Sequence, residues 1–238
     1  KQLMRLLAVF VSLCCLAGSL ALPLDYNSTN HAGCNNEKLT YDFLLLVTQW
    51  PEDQGCSDAP ALFTLHGLWP SRNSLDYPCT CTDEKFDESQ ISSILPKMKA
   101  DWLSCKGSDD DFWSHEWTKH GTCAGNNKKL ATQNGFFSNT LAIRDKYDIT
   151  SAFKSAGIEP SSTPVKASSM ISAVKSAYGV TPLLDCFYTD GSQKLSGVSL
   201  CIDQESLEVF ECSDKVKSSS LSSCNQDEDI LYPAPSVQ

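Results

Sequence analysis

Histidine is concentrated in two short segments of this chain. His66 lies in FTLHGLWP at residues 63–70, and His115 and His120 lie in WSHEWTKHGTC at residues 113–123. In both segments an imidazole directly precedes a glycine, whose missing side chain leaves room for a substrate backbone to approach. We therefore expect the two segments to meet at one reactive site.

The second segment, taken as an α-helix, brings four polar side chains together. Glu116 and His120 are four residues apart and share a face, and His115 and Lys119 lie on the adjoining face at the same spacing. The four groups span an arc of roughly 140°. This arrangement predicts two imidazoles, a carboxyl group and an ammonium in one patch, with Cys123 able to anchor the end of the helix.

Two other interpretations of this segment remain open. A charged stripe is ordinarily a solvated helix face, although Trp113 and Trp117 flank this one. A zinc site would need the pattern H-E-x-x-H, with histidines four residues apart. Here His115 and His120 are five apart, so they point in different directions, and Lys119 lies between them. We therefore expect no metal and no cofactor.

This set of groups suits phosphoryl transfer without a metal. One imidazole can remove a proton from a nucleophilic hydroxyl while the other protonates the leaving oxygen. The ammonium and the acid can stabilise charge on a five-coordinate phosphorus. RNA carries its own nucleophile, the 2′-hydroxyl, which such a site could use. The residues therefore indicate an enzyme that cleaves single-stranded RNA.

Charge limits how such a substrate would be held. The formal charge is −10, and it becomes −12 if Lys1 and Arg5 are removed with a signal peptide. An acidic protein does not grip a polyanion tightly, so contact should be brief and made through a small local cationic site. Acidic pH would help, because histidines become charged there, and we expect the acidic surface to raise histidine pKa values. We expect an acidic optimum.

The first 21 residues have the order of a secretory signal peptide. Lys1 and Arg5 are basic, 6–16 is almost wholly apolar, and small residues follow. The apolar run is too short to span a bilayer, and a buried first helix is the alternative. We expect residues 22–238 to form one ribonuclease-type domain, a monomer without membrane attachment.

Cysteine usage also favours export. Cys14 and Cys15 lie in the presumed signal, and the ten other cysteines suit five disulfides in an oxidising compartment. No C-x-x-C pair of the zinc-ribbon kind occurs. Asn27 begins an N-x-[ST] glycosylation acceptor. We expect the protein to be secreted, either extracellular or in the lumen of a vacuole or lysosome.

The elements that must position these residues follow from hydrophobic periodicity. We predict strands at Tyr41–Thr48, Ala61–Leu65 (ending at His66-Gly67), Leu183–Tyr188, Val198–Asp203 and Leu207–Cys212. We predict helices at Ser89–Cys105 (split by Pro96), Phe112–His120 (preceded by capping residues Asp109–Asp111), Gly135–Tyr147 and Ser168–Tyr178. Residues 213–238 show no clear period and are predicted to be a polar tail held by Cys224. The mixture predicts an α+β fold: an antiparallel sheet with helices packed on one side, in a single disulfide-stapled domain.

FTLHGLWP and FWSHEWTKHGTC resemble the two active-site segments of the ribonuclease T2 family, secreted acid ribonucleases. The resemblance extends to the strand YDFLLLVTQWP and to the cysteine pattern of the last third, and it covers residues 34–225. It implies an α+β fold and cleavage in two steps. A 2′,3′-cyclic phosphate forms first and is then hydrolysed to a 3′-phosphate.

The resemblance also implies a role for each polar residue of the two segments. His120 resembles the general base and His66 the general acid, with the roles reversed in the second step. His115 resembles a phosphate-binding histidine, and Glu116 and Lys119 resemble the pair that stabilises the transition state.

Base-site residues are matched as well: Trp69, Tyr77 and Phe112 at the first base pocket and Gln49 at the second. Stacking on aromatic rings tolerates any base, which implies low base specificity, although core packing is an equal alternative for Trp69 and Phe112. Many fungal members have an adenine-selecting acidic residue after LWP, whereas Ser71 and Arg72 follow here. An adenine preference is therefore not implied.

Ten cysteines allow roughly 945 pairings. The resemblance favours Cys81–Cys123, Cys186–Cys224, Cys56–Cys105 and Cys201–Cys212, which leaves Cys34–Cys79.

Two functions other than general RNA degradation remain possible on this scaffold. One is a catalytically inactive storage or binding protein, but such relatives usually lose a histidine and both are present here. The other is a recognition ribonuclease with a protein partner, but such proteins tend to be basic and this chain is acidic.

Overall fold

The structure, a computed structural model, describes residues 33–37, 39–51, 56, 60–189 and 191–234. The predicted signal peptide at residues 1–21 and the glycosylation acceptor Asn27 lie outside the described residues. No helix within the described ranges is long and apolar enough to cross a membrane.

A six-stranded sheet forms the centre of the domain. Its strands are β1 (Phe43–Gln49), β2 (Thr64–Ser71), β3 (Val165–Lys166), β4 (Leu183–Thr189), β5 (Ser192–Ile202) and β6 (Asp229–Leu231). The strand order is β2-β1-β5-β6-β3, and β4 also pairs with β5. Every pairing is antiparallel except that of β5 with β6. The predicted α+β class is confirmed, with one parallel pair that was not predicted.

Both faces of β1 are buried, which explains its continuous apolar run. Leu44 and Leu46 face the main core, whereas Phe43 and Leu45 face a smaller cluster on the other side. The helices of the main core are α1 (Leu95–Asp101), α2 (Asp109–Lys119), α3 (Gln133–Lys146), α4 (Ile149–Ser155) and α5 (Ala167–Tyr178). A short α6 (Asp214–Lys217) covers the smaller cluster through Val216.

Several element boundaries differ from the predictions. The 89–105 run is a short 3-10 helix (Glu88–Ile91) followed by α1, which begins next to Pro96 and ends at Asp101. Strand β2 does not end at His66 but continues to Ser71, because β1 offers a partner along its whole length. Helix α4 and strand β3 were not predicted.

The C-terminal third contains the clearest errors. The run 207–212 is not a strand, since its backbone pairs with β5 only as an isolated bridge between Val209 and Ile202, and its first residue has a positive φ of 63°. The segment 213–238 is not only a polar tail. Its β6 joins the sheet, and Ile230 and Tyr232 are fully buried.

Five disulfides cross-link the domain. Four are the pairs that the resemblance implies, Cys56–Cys105, Cys81–Cys123, Cys186–Cys224 and Cys201–Cys212, and the fifth is the remaining pair, Cys34–Cys79. Cys81–Cys123 fixes the chain immediately after α2 and closes a sequence separation of 42 residues.

We expect the double variant Cys81→Ala/Cys123→Ala to lose about 2–4 kcal/mol of unfolding free energy, because a long loop is no longer closed in the unfolded chain. It should also lose activity, since the end of α2 is released. Urea unfolding and RNA cleavage measure the two effects. The matched control is Cys201→Ala/Cys212→Ala, which opens a separation of only 11 residues on the other side of the sheet. Equal kcat in the two double variants would contradict the positioning role.

Candidate active site

His66 is the extra residue of a bulge in β2. Gly67 faces Val47 on β1 and Leu65 faces Thr48, so His66 has no opposite residue. A bulge bends its strand and redirects the side chain at that point. The His66 side chain is 40% exposed, although the strand around it is buried. The bulge therefore presents an imidazole to solvent from the middle of a core strand.

Helix α2 carries the second group of polar residues. Its N-cap is Ser108, whose hydroxyl accepts a hydrogen bond from the Asp111 amide, and not the predicted aspartates. Asp109–Asp111 instead form the first turn, where negative charge interacts favourably with the helix dipole. The helix ends at Lys119, and His120 follows as its C-cap. The predicted helix is confirmed, with its start three residues earlier.

Glu116 is completely buried at the centre of the site. Its Oε2 accepts a 2.9 Å hydrogen bond from Nε1 of Trp69, and its Oε1 lies 3.8 Å from Nε2 of His66. Burial of Glu116 excludes the interpretation of this segment as a solvated helix face. The carboxyl group therefore lies between the two histidine-containing segments.

The two glycines that follow the histidines serve internal packing. A Cβ at Gly67 would lie 2.1 Å from Glu116 Oε2, and one at Gly121 would lie 2.4 Å from the Trp117 ring. Room for a substrate backbone at these glycines stays a prediction. They make room for the side chains of α2.

His66 and His120 contact the same indole. The His120 ring stacks on Trp69 at a centroid distance of 5.0 Å and an angle of 20°. The His66 ring meets Trp69 edge-on at 5.1 Å and 87°. His120 is only 3% exposed, so its position is fixed by packing. The structure therefore brings together two imidazoles that are 54 positions apart in the sequence.

Aromatic side chains predicted for the first base pocket surround the same histidines. Phe112 contacts His66 at 5.4 Å between centroids, and Tyr77 contacts His120 at 6.0 Å. Lys119 Nζ lies 5.7 Å from the Tyr77 ring centroid. All three predicted aromatic residues, Trp69 included, thus adjoin the imidazoles.

Gln49 and His115 are the two remaining predicted site residues. Gln49 is 7% exposed at the end of β1, opposite Thr64. His115 is half-buried on α2, close enough for its charge to influence His66.

Burial shifts the proton affinities of the central groups. Desolvation raises the pKa of Glu116 to about 8, against the lowering effects of the Trp69 hydrogen bond and the Lys119 charge. Desolvation, then the positive charges of His115 and Lys119, hold the pKa of His66 below its ordinary value. Burial also lowers the pKa of Lys119, which Glu116 partly offsets. The expected rise in histidine pKa values from the acidic surface is therefore wrong for His66.

Arg72 is engaged within the protein. Its guanidinium donates to the Thr40 carbonyl at 2.7 Å and the Asn35 carbonyl at 3.1 Å, and it pairs with Asp76 at 2.8 Å. These bonds hold the loop that leads to Tyr77. The sequence showed Arg72 only as a departure from the fungal pattern, because nothing local indicates that Asn35 and Thr40, more than 30 residues earlier, accept hydrogen bonds from it.

No group of three His, Cys, Asp or Glu side chains in the described part of the chain could hold a metal ion. The zinc interpretation of the α2 segment therefore gains no support from the structure.

Comparison with known proteins agrees with this site. The model of the ribonuclease T2 family matches residues 41–212, which include both histidine segments. Extracellular ribonuclease LE of Solanum lycopersicum is 35% identical over 192 residues, covering 74% of this chain and 83% of the relative. The crystal structure of human RNase T2 superposes with a TM-score of 0.72 at 29% identity, covering 82% of this chain and 100% of that chain.

A second solved structure is similar to the same extent. RNase NT in complex with 5′-AMP superposes with a TM-score of 0.71 at 28% identity, covering 81% of this chain and 98% of that chain. Because the family model spans most of the chain and the relatives are similar over nearly their whole length, the protein belongs to the ribonuclease T2 family and is an endoribonuclease.

Proposed function

We propose that the protein cleaves single-stranded RNA by transphosphorylation to a 2′,3′-cyclic phosphate, followed by hydrolysis to a 3′-phosphate, without a metal and with low base specificity. The observation that carries this proposal is the placement of His66 and His120 against one indole, beside a buried carboxyl group. Two imidazoles so placed can reach a single phosphodiester. RNA supplies the nucleophile between them.

In the first step His120 takes the proton of the 2′-hydroxyl. The 2′-oxygen attacks phosphorus, the bond to the 5′-oxygen breaks, and His66 gives that oxygen a proton. In the second step the roles reverse: His66 takes a proton from water, the water oxygen attacks phosphorus, the bond from phosphorus to the 2′-oxygen breaks, and His120 returns its proton to that oxygen. Both histidines end in their starting states, so no other reactant is needed.

The remaining polar groups act on the phosphate. His115 binds the phosphate, and Glu116 and Lys119 stabilise charge on the five-coordinate phosphorus. Glu116 is neutral over most of the acidic range because its pKa is raised to about 8, so its carboxyl group can donate a hydrogen bond to a phosphoryl oxygen. Lys119 is the last residue of α2, where it adds positive charge next to the C-cap His120. A local cationic site of this kind suits an otherwise acidic protein.

The aromatic residues next to the histidines receive the bases. Trp69, Tyr77 and Phe112 form the first base site and Gln49 the second. The complex of RNase NT with 5′-AMP, a nucleotide, supports base binding on this scaffold. Ring stacking does not discriminate strongly among bases, which supports low specificity.

We expect kcat/KM to be highest at acidic pH. Since the pKa of His66 lies below its ordinary value, the protonated general acid is lost as pH rises toward neutrality, and the rate falls with it. His115→Asn removes one of the charges that lower this pKa and should move the alkaline limb to higher pH. A pH–rate profile of both proteins tests this. A maximum above about pH 8, where free-enzyme histidine is neutral, would contradict the role of His66.

The chemistry as a whole is tested by incubating purified protein with dinucleoside phosphates in EDTA and resolving products by phosphorus NMR. We expect unchanged rates in EDTA, a cyclic phosphate that appears first, and a 3′-phosphate that replaces it. Loss of activity in EDTA, or a 5′-phosphate product, would contradict the proposal. Complete inactivity of the folded protein would instead favour a storage or binding protein.

We further propose that the protein is a monomer of the secretory pathway, in the extracellular space or the lumen of a vacuole or lysosome. Five disulfides favour an oxidising compartment, and a relative is an extracellular ribonuclease. Light scattering of the purified protein and localisation of a tagged full-length chain test these two statements.

A further inference from the structure

The backbone of His66 is held by an indole from outside the sheet. Nε1 of Trp102 donates a 2.9 Å hydrogen bond to the His66 carbonyl. His66 is the residue at which the β2 bulge interrupts the register with β1. A buried carbonyl needs a donor, and at a bulge the neighbouring strand is poorly placed to provide one. Trp102 supplies it from the end of α1.

The Trp102 indole is itself rigidly placed. It is fully buried, its ring packs against Phe137 at 5.1 Å between centroids, and its amide donates to the Met98 carbonyl at 2.8 Å. A donor held on so many sides fixes the carbonyl it bonds, rather than following it.

Trp102 also connects the bulge to α2. Its carbonyl accepts a 2.7 Å hydrogen bond from Nε1 of Trp113, which lies on α2 three residues before Glu116. Two successive indole hydrogen bonds thus join the helix that carries Glu116 to the backbone of His66. The bond from Trp113 to Trp102 is buried, where competing water does not weaken it, and the bond from Trp102 to His66 is partly buried.

We propose that Trp102 is a positioning residue for the reaction: its indole N–H sets the position of the His66 imidazole relative to α2, and thereby to the leaving oxygen. This inference rests on the proposed role of His66 as the general acid of the first step. Trp102 does not touch the reacting atoms. It acts only through the His66 backbone.

A matched pair of tryptophans makes the proposal testable. Trp102→Phe removes the N–H and keeps an aromatic ring. Trp117→Phe is the control, because Trp117 is also buried and also packs against Phe136, whereas its Nε1 has no hydrogen-bond partner among the described residues. Both variants lose similar volume, but only the first loses a hydrogen bond.

Each variant is assayed on two substrates. One is a dinucleoside phosphate, whose 5′-oxygen needs a proton to leave. The other is uridine 3′-(4-nitrophenyl phosphate), whose weakly basic leaving group departs without one. Displacement of the acid should matter only for the first substrate, whereas general loosening of the fold should affect both.

We expect Trp102→Phe to lower kcat on the dinucleoside phosphate by roughly ten- to hundredfold, with KM changed little, as a misplaced catalytic group does. On the nitrophenyl substrate the loss should stay within about threefold. Trp117→Phe should affect both substrates alike. An equal loss on both substrates for Trp102→Phe, or no loss on either, would overturn the proposal.

Two further variants separate the possible failures. His66→Ala should show the same substrate dependence as Trp102→Phe, only larger. If His66→Ala slows both substrates equally, the general-acid role itself is wrong. If His66→Ala behaves as expected and Trp102→Phe does not, only the role of Trp102 is wrong. Should Trp102→Phe fail to fold, benzothienylalanine at this position retains the bicyclic ring, replaces N–H by sulfur, and gives the same two outcomes.

Discussion

His120→Ala and His66→Ala each abolish RNA cleavage: we expect a loss in kcat/KM of roughly 10²–10⁴-fold or more, the typical contribution of a general acid or base. Both imidazoles contact the Trp69 ring, so each is placed to act on the same phosphate. Initial rates on a dinucleoside phosphate at acidic pH measure the effect.

The two variants need different structural controls. His66 is 40% exposed, so its removal should leave the thermal unfolding midpoint nearly unchanged. His120 is buried and stacked on Trp69, so alanine leaves a cavity there, and His120→Asn should be examined beside it. Near-ultraviolet circular dichroism shows whether the tryptophans keep their packing. If both variants fold and each retains more than a few per cent of the wild-type rate, the proposed mechanism is wrong.

Glu116→Gln should stabilise the protein at neutral and alkaline pH. The folded-state pKa of Glu116 is raised to about 8, so the carboxyl is neutral in the folded protein while it ionises in the unfolded chain near its ordinary pKa. At low pH the carboxyl is neutral in both states and does not reduce the free energy of unfolding. That stability is lost as pH rises through the folded-state pKa. Gln keeps the hydrogen bond from Trp69 and never ionises. We expect a difference in unfolding free energy near zero at pH 4 that grows to roughly 3–5 kcal/mol by pH 9.

Urea unfolding of both proteins across this pH range measures the difference. The control is Glu205→Gln, the same chemical change on an exposed loop residue, which should leave the pH dependence of stability as in wild type. The same Glu116→Gln variant should keep much of its activity at acidic pH, because the Gln amide N–H can donate the hydrogen bond that we assign to the neutral carboxyl group. A constant difference at all pH values would show that folding does not raise the pKa of Glu116.

The histidine segments could be predicted because their chemistry is local. Spacing on a helix places Glu116 with His120 whatever the rest of the fold does, and the structure confirms α2. What spacing could not show is that Glu116 is buried and faces His66, since that depends on Gly67 and Trp69 in a strand 47 residues earlier. The pKa of His66 was predicted with the wrong sign for the same reason. Net charge acts at long range through solvent, whereas burial and two nearby cations act directly.

Elements made by tertiary contact escaped prediction. Strand β6 has three residues and no readable period, yet Ile230 is fully buried because β5 lies beside it. The run 207–212 is the opposite case. Its residues favour a strand, but a positive φ at Leu207 and the Cys201–Cys212 disulfide hold its backbone in a different conformation. Trp102 was predicted as one more apolar residue of a helix. Its hydrogen bond to His66 depends on a bulge that no local pattern reveals.

A double-variant cycle on His66 and His120 is the most direct test of the claim that both imidazoles act on one phosphorus. Groups that act as a unit show strongly non-additive losses. We predict that His66→Ala/His120→Ala is hardly slower on a dinucleoside phosphate than the slower single variant. If the two single losses multiply in the double variant, the histidines act independently, and a shared phosphodiester is contradicted.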